Sequence, residues 1–471
     1  MPFFRSMRRV TVVTAGLLLA TSCTDAPGDT SAAGVDPSGS ASASASPPRT
    51  EAVLGAMSRL PTEGLWPGFS PASIPVALFD GERTLLVGHA APPEGFTPLE
   101  GTDDVHAYPG RHPAVRGNMP TEIGGVRVAA VLLNELVGLT PERAAAVVTH
   151  ERFHVHQLER HPDWTVNELA RFQYPSTDVQ QLFDRRLETL ALHRALGAQT
   201  PDRSECWLRT ALILRRKRMG ELPPAVAAFE RGTERQEGLA RYLERRAAGI
   251  QTVPDLAPSG YAPEDVRGRA YVTGEALALM LDRYARGWKD ALENSANEVP
   301  PLDSLLWSAL LERPETSCGF SAAERADVLE RAADAVDVTL VRRESALRSF
   351  ESRPGWRLRV MTESRPLWPQ SFDPMRVMRV GSARLVHERM LRAGSDAGYI
   401  DVYDRPALTM GYLEDPLGSG IREVLVTGLA ERPVVTIQQD GGVRIAAPGV
   451  EAAFAVARVT EHAQELVVRV R

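Results

Sequence analysis

Residues 150–154 form an H-E-x-x-H motif, in which two histidines flank Glu151. The segment around them has the apolar periodicity of a helix. At about 3.6 residues per turn, His150 and His154 lie one turn apart on the same face, so both imidazoles can bind one metal ion. Glu151 is placed to take a proton from a water molecule that the metal activates. The motif therefore predicts metal-dependent hydrolysis.

The residues before the motif support a helix. Thr140 can cap its N-terminus, Pro141 suits its first position and Glu142 places an acid in the first turn. An alternative interpretation is a solvated, histidine-rich helix, because His156 and His161 follow closely. The chain has only ten histidines, however, and the spacing of the first two favours a metal site.

A second segment, Glu237–Tyr242, resembles the E-G-x-A-x-Y pattern of gluzincin-type metalloproteases, the peptidase MA group. The resemblance also touches residues 270–277 and covers roughly residues 140–290. It implies that His150, His154 and Glu237 bind Zn²⁺ and that Glu151 is the general base. A catalytic zinc normally has three protein ligands and one open position.

The residues of this second segment leave alternatives open. Glu234, Glu237, Arg241 and Glu244 fall on one helical stripe, which is typical of a solvated face. The small residue Gly238, in contrast, allows a close approach of another helix. We favour Glu237 as the third ligand, and the other acids that remain open for this role are Glu234, Glu188 and Glu244.

The chain departs from the known patterns in several places. The acid that orients a histidine in many gluzincins is not found at 240 or 241, and the thermolysin spacing meets Tyr174 instead of a glutamate. The metzincin extension is interrupted at Gln157 and Arg160. No G-x-M-E-N signature of aminopeptidases occurs.

Tyr271 is a candidate for stabilising the oxyanion, as a tyrosine or histidine does in the related enzymes. A packing role, with its hydroxyl bound to a neighbour, is the alternative. Tyr242 and Tyr284 compete for the same function.

The N-terminus predicts export. Arginines at 5, 8 and 9 precede a short apolar run, and residues 1–22 therefore resemble a signal peptide. Residues 19–23 resemble a bacterial lipobox, in which Cys23 receives the lipid, although Ala20 departs from the usual leucine. The run is too short to span a membrane as a helix.

A Ser/Ala/Gly/Pro-rich segment follows Cys23 and extends to residue 50. Such a composition predicts a flexible tether with a reach of about 30 Å. Together, the two features predict an extracytoplasmic protein that is anchored to a bacterial membrane through lipid on Cys23. The remaining cysteines, Cys206 and Cys318, could equally form a disulfide or stay as buried thiols.

The overall composition is that of a globular protein. The chain has 471 residues, is 43% hydrophobic and carries a formal net charge of −6. Neither a nucleic acid nor an acidic lipid surface is indicated as a partner.

The patterns predict an α+β fold with three parts. A small β-rich region over 51–130 precedes a mostly helical, zincin-like metalloprotease domain over 131–351, and an all-β domain over 352–471 ends the chain. The helical segments are predicted at 178–197, 205–220, 223–249, 268–294 and 321–351.

These observations predict a lipid-anchored zinc metallopeptidase that acts on a peptide or protein. Two other functions remain open. The chain could be a surface binding or structural lipoprotein on a degenerate protease fold, or a metal-dependent hydrolase of a non-peptide bond.

Overall fold

The computed structural model describes residues 46–471, apart from 103, 255, 258–259, 296–298, 312, 314–315, 364, 374–375, 416 and 440. The proposed signal peptide (1–22), the proposed lipid attachment at Cys23 and most of the tether lie outside the described residues. So does Asp440, the first residue of an Asp-Gly-Gly sequence at 440–442 that predicts a turn between two strands. These features stay predictions.

The described part of the chain has the predicted α+β architecture, with a helical middle region and an all-β C-terminal region. Its helices are α1 (Thr50–Met57), α2 (Pro141–Arg160), α3 (Val179–Gly197), α4 (Pro201–Glu221), α5 (Pro224–Thr233), α6 (Leu239–Ala247), α7 (Val266–Tyr284), α8 (Trp288–Glu293), α9 (Leu302–Leu310) and α10 (Ala322–Glu351). Short 3₁₀ turns lie at Pro71–Ser73, Leu133–Glu135 and Glu168–Gln173.

A six-stranded sheet comes before the helical region. Its strands are β1 (Val76–Phe79), β2 (Arg83–Val87), β3 (Thr97–Pro98), β4 (Val105–Pro109), β5 (Met119–Ile123) and β6 (Val126–Leu132), in the order β3-β4-β2-β1-β6-β5. Only the β1–β6 pair is parallel. Leu78 and Val131 of this sheet share one hydrophobic core with Ala144 and Val148 of α2. This shared core fixes α2, which carries the H-E-x-x-H motif, against the sheet.

The predicted helical segments are present, with one correction. The segment 268–294 is two helices and not one, because Gly287 adopts a left-handed backbone conformation (φ 71°) between α7 and α8. Glycine has no Cβ and adopts that conformation at little cost, so the chain turns there. The helices α1 and α9 were not predicted.

The C-terminal region contains two sheets. Its strands are β7 (Trp356–Thr362), β8 (Trp368–Phe372), β9 (Val377–Arg379), β10 (Arg384–His387), β11 (Met390–Ser395), β12 (Gly398–Tyr403), β13 (Ala407–Gly411), β14 (Ile421–Leu429), β15 (Val434–Ile437), β16 (Val443–Ala447), β17 (Val450–Phe454), β18 (Ala457–His462) and β19 (Glu465–Val470). One sheet has the order β18-β19-β7-β14-β13-β10-β9, and the other has the order β15-β16-β17-β12-β11-β8. Side chains from both sheets, such as Val360 and Ile400, form a common core.

This core also receives Phe172, which precedes α3. The two regions are further joined by Arg379, whose Nη1 donates to the Phe172 carbonyl at 2.8 Å, and by Gln173, whose amide donates to Asp415 at 2.8 Å. The β-region is therefore packed on the helical region through the segment between α2 and α3.

The N-terminus of α2 has the cap that the sequence predicts. The Thr140 hydroxyl accepts a hydrogen bond from the Arg143 backbone N–H at 3.3 Å, and Pro141 occupies the first turn. The cap satisfies a backbone donor that has no partner inside the helix.

The helical segment 224–247 is interrupted by one turn of π-helix at Glu234–Gly238, between α5 and α6. A π-turn inserts one residue into the helical register, so side chains on its two sides point in different directions. Here the π-turn crosses α7 at very short range. A Cβ added to Gly238 would lie 2.5 Å from the Gly274 Cα, and one added to Gly274 would lie 2.4 Å from the Glu234 carbonyl oxygen. The close approach expected at Gly238 is confirmed.

Cys206 and Cys318 form a disulfide, which decides between the two alternatives that the sequence left open. The bond joins the first turns of α4 to the segment that leads into α10. The Cys318 carbonyl also accepts a hydrogen bond from the Thr210 hydroxyl at 2.6 Å, so the two segments are held at two points.

Among the described residues, no helix combines the length and the apolar character that crossing a membrane requires.

We expect Gly274→Ala to lower the free energy of unfolding by about 1–3 kcal/mol, because its methyl group would overlap the backbone of the π-turn. Gly220→Ala is the matched control, since Gly220 also lies in a helix but a Cβ added there would meet no described atom within 4 Å. That change should be neutral or stabilising. Chemical denaturation measures both variants, and equal midpoints would show that the crossing is not tight.

Candidate metal centre

The three predicted ligands meet in the structure. His154 Nε2 lies 3.1 Å from His150 Nε2 and 3.1 Å from Glu237 Oε2, and His150 Nε2 lies 3.8 Å from the same oxygen. Each of these residues is at most 5% exposed. The histidines come from α2 and the carboxylate comes from the π-turn, 83 residues after His154. This buried group can hold a metal ion.

The orientation of His154 is set by Gln157, one turn further along α2. The Gln157 side-chain nitrogen donates to the Gln236 carbonyl at 3.0 Å, and a carbonyl can only accept. Its oxygen therefore faces the ring, 2.8 Å from His154 Nδ1. Nδ1 must carry the proton, which leaves the lone pair on Nε2 for a metal.

His150 is oriented by an acid. Its Nδ1 lies 3.2 Å from Glu244 Oε2. Burial alone would raise the pKa of Glu244, but the hydrogen bond from His150, together with the charge of Arg241, holds that pKa below its ordinary value. Glu244 is thus an ionised acceptor, and the His150 Nδ1 carries the proton.

The resulting arrangement fits a cation. In the neutral form of both rings, with the proton on Nδ1, the two Nε2 atoms point their lone pairs at each other and at the Glu237 carboxylate. Three electron-pair donors at 3.1–3.8 Å repel one another unless a positive charge lies between them. Two imidazoles and one carboxylate form a common ligand set of catalytic zinc.

Glu237 is held ionised and in one orientation by Arg267 on α7, whose Nη2 donates to Oε1 at 2.8 Å. Burial alone would raise the pKa of Glu237, but its interactions with His154 and with the Arg267 guanidinium hold that pKa well below its ordinary value. Since Arg267 occupies Oε1, the other oxygen, Oε2, remains directed at the histidines.

Glu151 is fully buried on the turn of α2 between the two histidines. Its position in the chain is the one that the motif requires of a general base. Tyr271 is partly buried on α7, with the Arg267 guanidinium 5.3 Å from the centre of its ring. It therefore lies one helical turn from the arginine that binds the third ligand.

The competing tyrosines have other partners. The Tyr242 hydroxyl donates to Asp282 at 2.8 Å, and the Tyr284 hydroxyl donates to the Pro201 carbonyl at 3.3 Å. Both hydroxyls act in packing. The assignment of Tyr271 to the oxyanion stays a prediction.

Two of the alternative ligands belong to a buried ionic cluster. Glu188 accepts from Arg218 and Arg269, each at 2.8 Å, and Glu234 accepts from Arg215 Nη1 at 2.9 Å. Because these carboxylate oxygens bind guanidinium groups, neither residue is placed to bind the metal ion. Glu244, the third alternative, binds the outer nitrogen of His150 and is not a ligand either.

The alternative of a solvated charged stripe on this helix is wrong. Glu234 is 1% exposed and faces the ionic cluster, whereas Glu237 is 3% exposed and faces α2. The π-turn separates the directions of the two side chains. The alternative of a solvated histidine-rich helix is wrong as well, because His156 is 5% exposed and His161 is largely buried.

Three functional positions were missed in the sequence. Gln157 follows the second histidine by three residues, a helical spacing that could have indicated a contact. Glu244 was considered only as a ligand. Arg267 gave no local signal, since its role depends on the crossing of α7 and the π-turn.

Comparison with known proteins identified no relative. No protein-family model, no curated protein and no solved structure gave a significant match to the chain. The resemblance to gluzincins therefore rests on the motif residues.

We expect Glu244→Ala to weaken Zn²⁺ binding by about 10–100-fold, because His150 would lose the acceptor that fixes its protonated nitrogen. Gln157→Leu should have an effect of similar size through His154. Glu142→Ala is the control, as Glu142 lies in the first turn of α2 and is exposed. Competition with a chromophoric chelator measures the affinities, and values equal to the control would contradict this assignment.

Proposed function

We propose that this protein is a zinc metallopeptidase that hydrolyses peptide bonds outside the cytoplasm, where lipid on Cys23 anchors it to a membrane. The observation that supports the enzyme most strongly is the convergence of His150, His154 and Glu237 around one point, with Glu151 buried on the same turn of α2. A binding protein has no need of a glutamate at that position.

Each residue of the candidate centre has a defined role in the proposed reaction. His150, His154 and Glu237 would hold Zn²⁺, which supplies Lewis acidity towards a carbonyl oxygen and makes a water molecule more acidic. Glu151 takes the proton of the attacking water as its oxygen bonds to the carbonyl carbon. When the C–N bond breaks, Glu151 delivers that proton to the leaving amine. Tyr271 would donate a hydrogen bond to the developing oxyanion.

Peptide hydrolysis is favoured over the other functions because the motif and the E-G-x-A-x-Y segment resemble peptidases. A hydrolase of a non-peptide bond would use the same four groups. A surface binding lipoprotein would not depend on Glu151. These two functions are distinguishable outcomes of the experiment below.

We expect Glu151→Gln to retain Zn²⁺ and to lower kcat by about 10²–10⁴-fold, since the amide cannot accept a proton from water. The assay exposes the zinc-loaded protein to a peptide library and detects new termini by mass spectrometry. Glu142→Gln, on the exposed side of the same helix, should cleave as the parent does.

Equal cleavage by Glu151→Gln and the parent would refute the proposed role. Hydrolysis of esters or amides without any cleavage of peptides would identify the non-peptide hydrolase. A zinc-loaded parent that hydrolyses neither class would support the binding protein.

The membrane anchor has a separate test. In the native bacterial host, the parent should incorporate labelled palmitate and partition with membranes, whereas Cys23→Ser should do neither, because the lipid is attached to this thiol. Cys206→Ser is the control, and its label should be unchanged. Labelling of Cys23→Ser would show that Cys23 is not the attachment site.

A further inference from the structure

A second group of side chains that could hold a metal ion lies at the C-terminal end of α2. His156, His161 and Glu293 each place one ligand atom within 4.8 Å of the other two. His161 Nε2 lies 2.8 Å from Glu293 Oε2, and His156 Nε2 lies 3.5 Å from Glu293 Oε1. Their side chains are 4–8% exposed. This cluster uses none of the residues of the first metal centre.

His156 carries the strongest indication of a ligand. Its Nε2 is buried and makes no well-formed hydrogen bond within the described part of the chain, since its polar neighbour, Glu293 Oε1, lies 3.5 Å away. A buried polar atom that is poorly satisfied in this way is costly, and an ion between the two atoms would satisfy both. The ring cannot easily turn away, because it stacks on Phe153 with 5.6 Å between the ring centres and contacts Phe69 at 5.4 Å. The atom therefore remains directed towards Glu293.

The other two members are also held in place. The Trp66 indole donates to Glu293 Oε2 at 2.8 Å, as an outer partner of a metal-binding carboxylate does. The ring of His161 stacks on Trp164 with 4.0 Å between the centres. Such fixed side chains lose little conformational entropy when they bind an ion.

One competing cation is present. Arg160 Nε lies 3.4 Å from Glu293 Oε1, but the Arg160 side chain is 62% exposed. Solvent screens the charge of so exposed an arginine, so a divalent ion can displace it from Glu293. Two imidazoles and a carboxylate match the ligand preference of Zn²⁺.

We propose that His156, His161 and Glu293 form a second zinc site, which ties the C-terminal end of α2 to α8. The two sites lie on different faces of one helix, since His156 follows His154 by only two residues. The second ion would lock the end of the helix that carries the H-E-x-x-H motif. The proposal of a second zinc site does not depend on the proposed peptidase activity.

The test is the number of zinc ions bound by the purified full chain after dialysis against a weak chelator. We expect about two per chain for the parent, and about one for each of two double variants, His156→Ala with His161→Ala and His150→Ala with His154→Ala. The variant with all four changes should bind none. His462→Ala, at an exposed position of the C-terminal region, is the control and should bind about two.

Two milder variants guard against misfolding. Glu293→Gln keeps the shape of the side chain and should weaken only the second zinc by about 100-fold or more, beyond the loss that an outer partner causes. Arg160→Gln removes the competing cation and should strengthen binding at that site. The visible spectrum of bound Co²⁺ reports both sites in each variant.

The outcomes separate the two sites. A parent that binds one zinc, which only the His150/His154 variant loses, overturns the second site and leaves the first. A parent whose single zinc is lost only with His156 and His161 supports the second site and overturns the first. Stronger Co²⁺ binding at the second site in Arg160→Gln than in the parent supports the proposal. If Arg160→Gln binds one Co²⁺ per chain with the same spectrum as the parent, the proposal is overturned.

Discussion

The contact between the backbones of Gly238 and Gly274 is the constraint on which the candidate metal centre depends. It brings α7 against the π-turn with no side chain between them. At that distance, Arg267 reaches one oxygen of Glu237, and the Thr273 hydroxyl reaches Glu234 at 2.8 Å. Glu237, the proposed third ligand, is thus held from the side opposite to the histidines. An isolated helix could not provide this support, because the π-turn and α7 are distant in the chain.

The buried ionic cluster gives the same region its geometry. The arginines at 215, 218 and 269 neutralise Glu188, Glu230 and Glu234. Burial alone would raise the pKa of Glu188 and of Glu230, but these cations lower both. Removing charges from water is costly, so such a cluster adds little net stability, whereas loss of one partner leaves an uncompensated charge and costs about 3–5 kcal/mol. The cluster therefore favours one packing of the helices that carry it.

Local patterns predicted the features that depend on local physics. The periodicity and the cap defined α2, and helical spacing placed His150 and His154 on one face. Glu237 followed from the E-G-x-A-x-Y segment. The π-turn was not predicted, because no spacing within residues 234–238 distinguishes it from a continuous α-helix, and its contact with α7 is seen only in the structure. Glu293 lies 132 residues after His161, so no spacing in the sequence could relate the two.

The disulfide between Cys206 and Cys318 encloses a loop that contains Glu237, Arg267 and Glu293 but neither His150 nor His154. Its closure restricts the unfolded ensemble, an effect typically of about 2–5 kcal/mol for a native bond. Reductive cleavage would therefore release chain entropy without altering a single donor atom. Reduction of the disulfide would thus change the stability of this protein through the unfolded chain. A bound metal ion would change it through the native state.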